Sequence, residues 1–202
     1  MYRSSAIDLS HIEDQRLVRL ADYWRDKRRD RPIPYRADID PVDFPRLLPN
    51  VWLVHYEPEG GGRFLYRLAG EEIRNVHPGI AFGRYMDDFM TSESFARIAP
   101  LYRTVLGLDG GNPAIMHMRG FVYRLHRHHL TAVGERLVLP LLDGDGEPRF
   151  IFGATLYQYD SGHQTVPAEE LPLTVTPIPL NRQETASVDQ RHAGEIGMPQ
   201  EQ

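Results

Sequence analysis

The sequence lacks cysteine and has no long apolar run. The first absence excludes disulfides, thiolate nucleophiles and cysteine metal ligands. The second excludes a membrane-spanning helix, which needs about 20 consecutive apolar residues. The first residues, MYRSSAIDLSH, also lack the apolar core of a signal peptide. Together these absences predict a cytoplasmic protein.

An excess of basic residues is missing too. The chain carries 23 Lys and Arg against 28 Asp and Glu, a net charge of −5. Residues 160–202 contain seven acidic residues and two arginines, which also gives −5, so residues 1–159 are balanced. The fold as a whole therefore has no strongly basic footprint for nucleic acid.

The C-terminal stretch is also poor in large apolar side chains. No Phe, Trp or Tyr follows Tyr159, and the stretch is acidic and punctuated by proline. Such a segment buries too little apolar surface to offset its chain entropy. We expect a largely disordered tail over 160–202, although its one apolar piece, LPLTVTPIPL, is able to dock locally.

The N-terminal region predicts an amphipathic helix from about His11 to Arg29. Ser10 followed three residues later by Glu13 is a capping-box start. The apolar residues at helical spacing are Leu17, Leu20, Ala21 and Trp24. These four residues form a narrow apolar stripe along the helix, and the rest of the helix is charged. The helix must therefore pack this stripe against a sheet or against a second copy of itself.

The remaining pattern predicts an α+β fold. VWLVHYE and FLYRLAG form a hairpin, short helical pieces follow, and SESFARIAPLYRTVLGL is a longer helix in which Pro100 predicts a kink or a late start. Three strands come last: AIMHMRGFVYRL, ERLVLPLL and RFIFGATLYQY. Strands split by a block of helices favour an antiparallel sheet. We divide the chain into a helix and linker (1–36), a main domain (37–159) and the tail (160–202).

Several stretches of the sequence resemble the PAS domain family. YRLAGEEI followed by FGRYMDDF is similar to the PAS stretch in which a strand ends, a short helix follows and a Gly-Arg pair precedes the next helix. LADYWRDKR, ADIDPVDFPRLLPNVWLVHY and ERLVLPLLDGDGEPRFIFGATLY resemble the small stand-alone bacterial PAS proteins. The resemblance covers about residues 15–158. It implies a five-stranded antiparallel sheet with helices across one face.

The resemblance also implies a sensory or regulatory role rather than catalysis. The chain has no recognisable output module, so a signal would pass by contact with an unidentified signalling protein, and a homodimer through the N-terminal helix is expected. Flavin photosensors of this fold form an adduct with a cysteine, which this chain lacks. The cofactor is otherwise unknown. His77 is the one candidate for an axial haem ligand, but its neighbours NVHPG favour a surface turn.

The residues expected to line a PAS cavity are aromatic or flexible, and methionine suits a pliable pocket. They are Tyr66, Phe95, Tyr102, Met116, Met118 and Leu139. The alternative is that these six form an ordinary packed core. Glu135 and Arg136 are neighbours in a strand and must point to opposite faces. We expect a cross-strand ion pair from one of them, or a polar anchor for a ligand.

Four histidines lie within thirteen residues: His117, His126, His128 and His129. His126 and His128 share one face of an extended strand, so a metal site with His117 is conceivable. The flanking Arg124 and Arg127 disfavour a divalent cation, and no known ligand spacing is present. We predict the exposed end of a hairpin, whose charge changes near neutral pH.

The leading hypothesis is a non-enzymatic PAS regulator that binds a small molecule or a partner. A haem- or metal-binding sensor that uses the histidines is the alternative. A small hydrolase is a third class, but the sequence offers no nucleophile–base pair to support it.

Overall fold

The computed structural model describes residues 10–125, 130–160 and 173–178. These residues include the strands β1 (Val51–Glu57), β2 (Arg63–Ala69), β3 (Ala114–Leu125), β4 (Leu130–Leu142), β5 (Pro148–Asp160) and β6 (Leu173–Pro177). The strands form one antiparallel sheet in the order β2-β1-β5-β4-β3-β6. The predicted hairpin and the last three predicted strands are all present.

In the ranges just given, three α-helices accompany the sheet: α1 (Gln15–Lys27), α2 (Glu71–Val76) and α3 (Ser92–Leu106). The residue that caps α1 differs from the prediction. Asp14 is the N-cap, and its carboxylate accepts the backbone N–H of Arg16 at 2.8 Å. Acidic caps accept these unpaired N–H groups well, so α1 starts four residues later than Ser10 suggested. In α3 the helix continues through Pro100.

Both faces of the sheet are covered, because the central strands are apolar on both sides. On β4, Leu137 and Leu139 point to one face and Val138 to the other, and none of the three is exposed. Helix α1 and the 3-10 turn at Pro45–Asn50 cover the first face, which we call the α1 face. Helices α2 and α3 cover the second, the α3 face. The PAS-like expectation of helices on one face is therefore met, and α1 adds a layer on the other.

The stripe on α1 packs against the chain's own sheet. Leu17 and Trp24 are fully buried and Leu20 is 2% exposed. The indole N–H of Trp24 donates to the backbone oxygen of Pro140 in β4 at 2.9 Å. The surface that was expected to hold a homodimer together is thus part of the domain's core, and homodimerisation through α1 stays a prediction that needs other residues.

A sixth strand extends the predicted five. Residues 173–177 pair with β3, with Val175 opposite Met116. The next residue, Ile178, is fully buried on the α1 face, and its N–H donates to the oxygen of Pro113 at 2.8 Å. The apolar piece LPLTVTPIPL of the predicted tail therefore docks on the edge of the sheet through residues 173–178. The sequence analysis had allowed for local docking of this piece. The other tail residues lie outside the described ranges.

None of the helices in the described ranges is long and apolar enough to span a bilayer.

The burial of α1 predicts that Leu20→Asp unfolds the protein. A charge placed in this apolar site is expected to lower the free energy of unfolding by about 4 kcal/mol or more. Urea unfolding followed by circular dichroism measures the change, with the exposed Gln15→Asp on the same helix as the control. A folded Leu20→Asp monomer derived from a dimeric parent would show that the stripe joins two copies.

The docking of β6 predicts that a chain ended after Asp160 melts well below one ended after Pro179. The shorter chain loses the strand and the buried Ile178, so its melting temperature should fall by roughly 5–15 °C. Differential scanning calorimetry compares the two chains. Equal melting temperatures would mean that the strand adds nothing to the fold.

Candidate functional site

The side chains of two neighbouring charged residues on β4 point to opposite faces of the sheet. Glu135 points to the α1 face, where its Oε1 lies 2.9 Å from Nε2 of His117 across the strand pair. Arg136 points to the α3 face, where its Nε–H donates to the hydroxyl of Thr155 at 3.0 Å. The sequence had left an ion pair and a polar anchor as alternatives for this pair. Glu135 therefore has its partner across the strand pair, as the first alternative expected, and a role of Arg136 as an anchor for a ligand stays a prediction.

A small cavity lies on the α3 face, between the sheet and the helices. It encloses about 30 Å³, enough for one or two water molecules. Its wall is mostly apolar or aromatic, with a few convergent polar groups, which is the usual character of a ligand site. The lining residues are Trp52, Tyr66, Ile73, His77, Ile80, Met90, Ile98, Tyr102, Arg136 and Thr155.

The polar side of the cavity is built around the hydroxyl of Thr155, which is fully buried. It accepts the indole N–H of Trp52 and the Nε–H of Arg136, both at 3.0 Å. Tyr102 of α3 stacks on the Trp52 ring with centroids 5.6 Å apart and planes 15° apart. The indole also lies against Gly153, where a Cβ atom would clash with the ring. Glycine at this position therefore lets Trp52 reach Thr155.

His77 follows α2 and lines the same cavity. The sequence favoured a surface position because NVHPG looks like a turn. The turn is present, but the side chain lines the cavity and is partly buried. Burial, together with the positive charge of Arg136, lowers the pKa of His77 to about 4. The imidazole is therefore neutral at physiological pH and lies in a positive electrostatic field.

Five of the six predicted ligand residues come together on the α3 face. Tyr66 and Tyr102 line the cavity, and Met116, Met118 and Phe95 pack in the same cluster. Leu139 does not join them. It is fully buried on the α1 face, because it lies an odd number of residues from Arg136 and Val138 on the same strand. The pairing of β4 with its neighbours decides whether its odd-numbered or its even-numbered residues face α3. The sequence alone did not reveal which of the two sets does so.

The sequence analysis missed part of the polar lining. Arg136 was named as one of two possible anchors, and His77 was considered only as a haem ligand. Trp52 and Thr155 were not singled out, although Gly153, two residues before Thr155 on the same face of β5, is the signal that a large ring approaches the strand.

The histidine-rich segment is only partly described. His126, His128 and His129 lie outside the described residues. His117 is 4% exposed and faces α1, where its ring lies 5.1 Å from that of His11. In the ranges that the structure describes, no three His, Asp or Glu side chains come together as metal ligands would.

A family model described as a PAS domain matches residues 12–156, which includes α1 and ends in β5. Neither the curated proteins nor the solved structures provide a match.

The lowered pKa of His77 predicts a specific loss of stability in acid. The unfolded chain takes up this proton near pH 6.5 and the folded chain only near pH 4. The histidine therefore costs no stability above pH 6.5, and its contribution destabilises the fold progressively as the pH falls from 6.5 to 4. NMR titration should show that the His77 ring is neutral at pH 5.5. In His77→Gln the corresponding part of the pH dependence of unfolding should disappear, and a His77 pKa near 6.5 would contradict the burial.

Proposed function

Because the chain belongs to the PAS domain family, we propose that it is a cytoplasmic, non-enzymatic sensory or regulatory protein, which binds a small molecule in the α3-face cavity and signals by contact with another protein. PAS domains are typically sensory modules, which supports the general role. The observation that carries the specific proposal is the convergence of Arg136, His77 and Thr155 on one apolar cavity.

The electrostatics of the cavity favour a small anion. The charge of Arg136 disfavours protonation of His77, and the same positive field stabilises a negative charge placed beside it. A neutral imidazole and a guanidinium both have N–H groups to donate to an oxyanion. We therefore propose a small carboxylate, of the size of acetate, as the ligand class.

The size of the cavity limits the ligand. A volume of about 30 Å³ accepts an acetate only if neighbouring side chains shift. Met90 and Ile98 line the helical side, and methionine changes shape easily. Such a shift would move α3 relative to the sheet, and this movement is the proposed route by which binding becomes visible to a partner.

A haem sensor is the second candidate, because His77 does line the cavity. A porphyrin is many times larger than the enclosed space, and the helices would have to separate from the sheet to admit it. Arg136 beside the imidazole also fits a carboxylate better than a cationic iron. Metal analysis and the absorption spectrum of protein purified without a His-tag separate the two candidates.

The two tryptophans make a direct test of the carboxylate proposal, because they lie on opposite faces. Acetate should shift the indole N–H signal of Trp52 in ¹⁵N-correlated NMR spectra and leave that of Trp24 in place. Arg136→Gln should weaken acetate binding at least tenfold, since a hydrogen bond to a charged group is lost. The exposed Arg97→Gln on α3 is the matched control. Equal binding of acetamide, or an unchanged affinity in Arg136→Gln, would refute the proposal.

A further inference from the structure

A second, larger concavity lies on the outside of the α1 layer. It is a groove of about 500 Å³ between α1 and the chain that leads into β1. This volume is within the range of small-molecule sites, about 300–1,000 Å³. The lining residues are Arg16, Arg19, Leu20, Tyr23, Asp43, Phe44, Pro45, Arg46 and Leu47. The groove is separate from the α3-face cavity, since the sheet lies between them.

The groove is held open by contacts that brace its two walls. The ring of Tyr23 on α1 meets Phe44 edge-on, with centroids 5.3 Å apart. The Tyr23 hydroxyl accepts the backbone N–H of Asp40 at 2.9 Å. Lys27 at the end of α1 pairs with Asp43 on the opposite wall at 3.1 Å. These contacts fix the separation of the walls, so the groove exists before a ligand arrives.

The charges around the groove are predominantly positive. Three arginines line it, against one carboxylate, that of Asp43, which Lys27 already neutralises. Arg16 is paired with Asp14 at 2.8 Å. Arg19 uses its Nε–H on the backbone oxygen of Gln15, which leaves its terminal nitrogens to contact a ligand. No carboxylate of the described residues lies within ion-pair distance of Arg19 or Arg46.

The chemistry of the groove therefore has two parts, an apolar floor and cationic edges. Of the lining residues, Leu20 and Leu47 are buried and Phe44 is partly buried, whereas the three arginines are exposed. The apolar side chains therefore form the floor and the arginines the margin. A nucleic acid or a highly charged peptide would leave the floor unfilled. A protein partner usually contributes 20–30 residues a side, far more than this groove contacts. A small amphipathic anion matches both parts.

We propose that this groove binds aliphatic carboxylates, with the chain on the floor and the carboxylate between Arg19 and Arg46. The proposal is independent of the α3-face cavity and of the sensory role. A ligand here touches both α1 and the turn that precedes β1, so it strengthens the attachment of α1 to the domain.

Octanoate is the probe, and 1-octanol and octylammonium are the comparisons of equal chain length. Titrations followed by NMR give the dissociation constants, and intermolecular NOEs locate the chain. We expect NOEs from octanoate methylenes to the rings of Tyr23 and Phe44. Octanoate should bind at least tenfold more tightly than octanol, and octylammonium should not bind. Each methylene added between hexanoate and octanoate should raise the affinity about fourfold where it is buried.

Charge reversal separates the proposed site from other binding. Arg19→Glu combined with Arg46→Glu should weaken octanoate binding at least tenfold, while the exposed Arg97→Glu on α3 should leave it unchanged. Arg19→Gln with Arg46→Gln repeats the test without new negative charges, should the reversal disturb folding. The proposal is overturned if octanol binds as tightly as octanoate or if the double variants bind octanoate normally. It is also overturned if the NOEs come only from residues of the α3-face cavity. In that case Arg136→Gln would abolish the NOEs.

Discussion

The structure depends on one constraint: the central strands are apolar on both faces, so the sheet needs two covers. Leu137 and Val138 are adjacent, point in opposite directions and are both fully buried. A sheet covered by α2 and α3 alone would leave the leucine side in water, at a cost of roughly 2 kcal/mol for each large side chain. Helix α1 is therefore a structural layer rather than an attachment, which agrees with the start of the family match at residue 12.

The same alternation separates two kinds of polar chemistry. On the α1 face, His117 and Glu135 form a nearly buried pair, with 5% and 14% of their side chains exposed. On the α3 face, Arg136 and Thr155 contribute to the cavity. Buried polar groups are costly unless they are hydrogen-bonded, and each set has its partner on a neighbouring strand. A single residue slip in β4 would exchange the two sets and leave both without partners.

Local signals predicted most of the elements, and the resemblance predicted their arrangement. The hairpin of β1 and β2, the long helix α3 and the last three strands follow from periodicity and turn residues. What the sequence did not reveal is long-range information. Leu139 was grouped with residues of the α3 face although it lies on the α1 face, because its side is set by the pairing of β4 with β3 and β5. A surface position was favoured for His77, which lines the α3-face cavity, because a turn does not reveal what lies beneath it. The strand β6 could not be predicted from its own residues, because it forms by pairing with the edge strand β3.

The hydrogen bond from Trp24 to Pro140 joins residues 116 positions apart, and this has a consequence for synthesis on the ribosome. Helix α1 is made well before β4 and β5, whose apolar residues it covers. During translation its apolar stripe has no surface to cover, and an isolated helix of 13 residues is only marginally stable in water. The N-terminal layer must therefore wait for nearly the whole domain, and a nascent chain held by a chaperone at this stripe would be protected from aggregation until the sheet is complete.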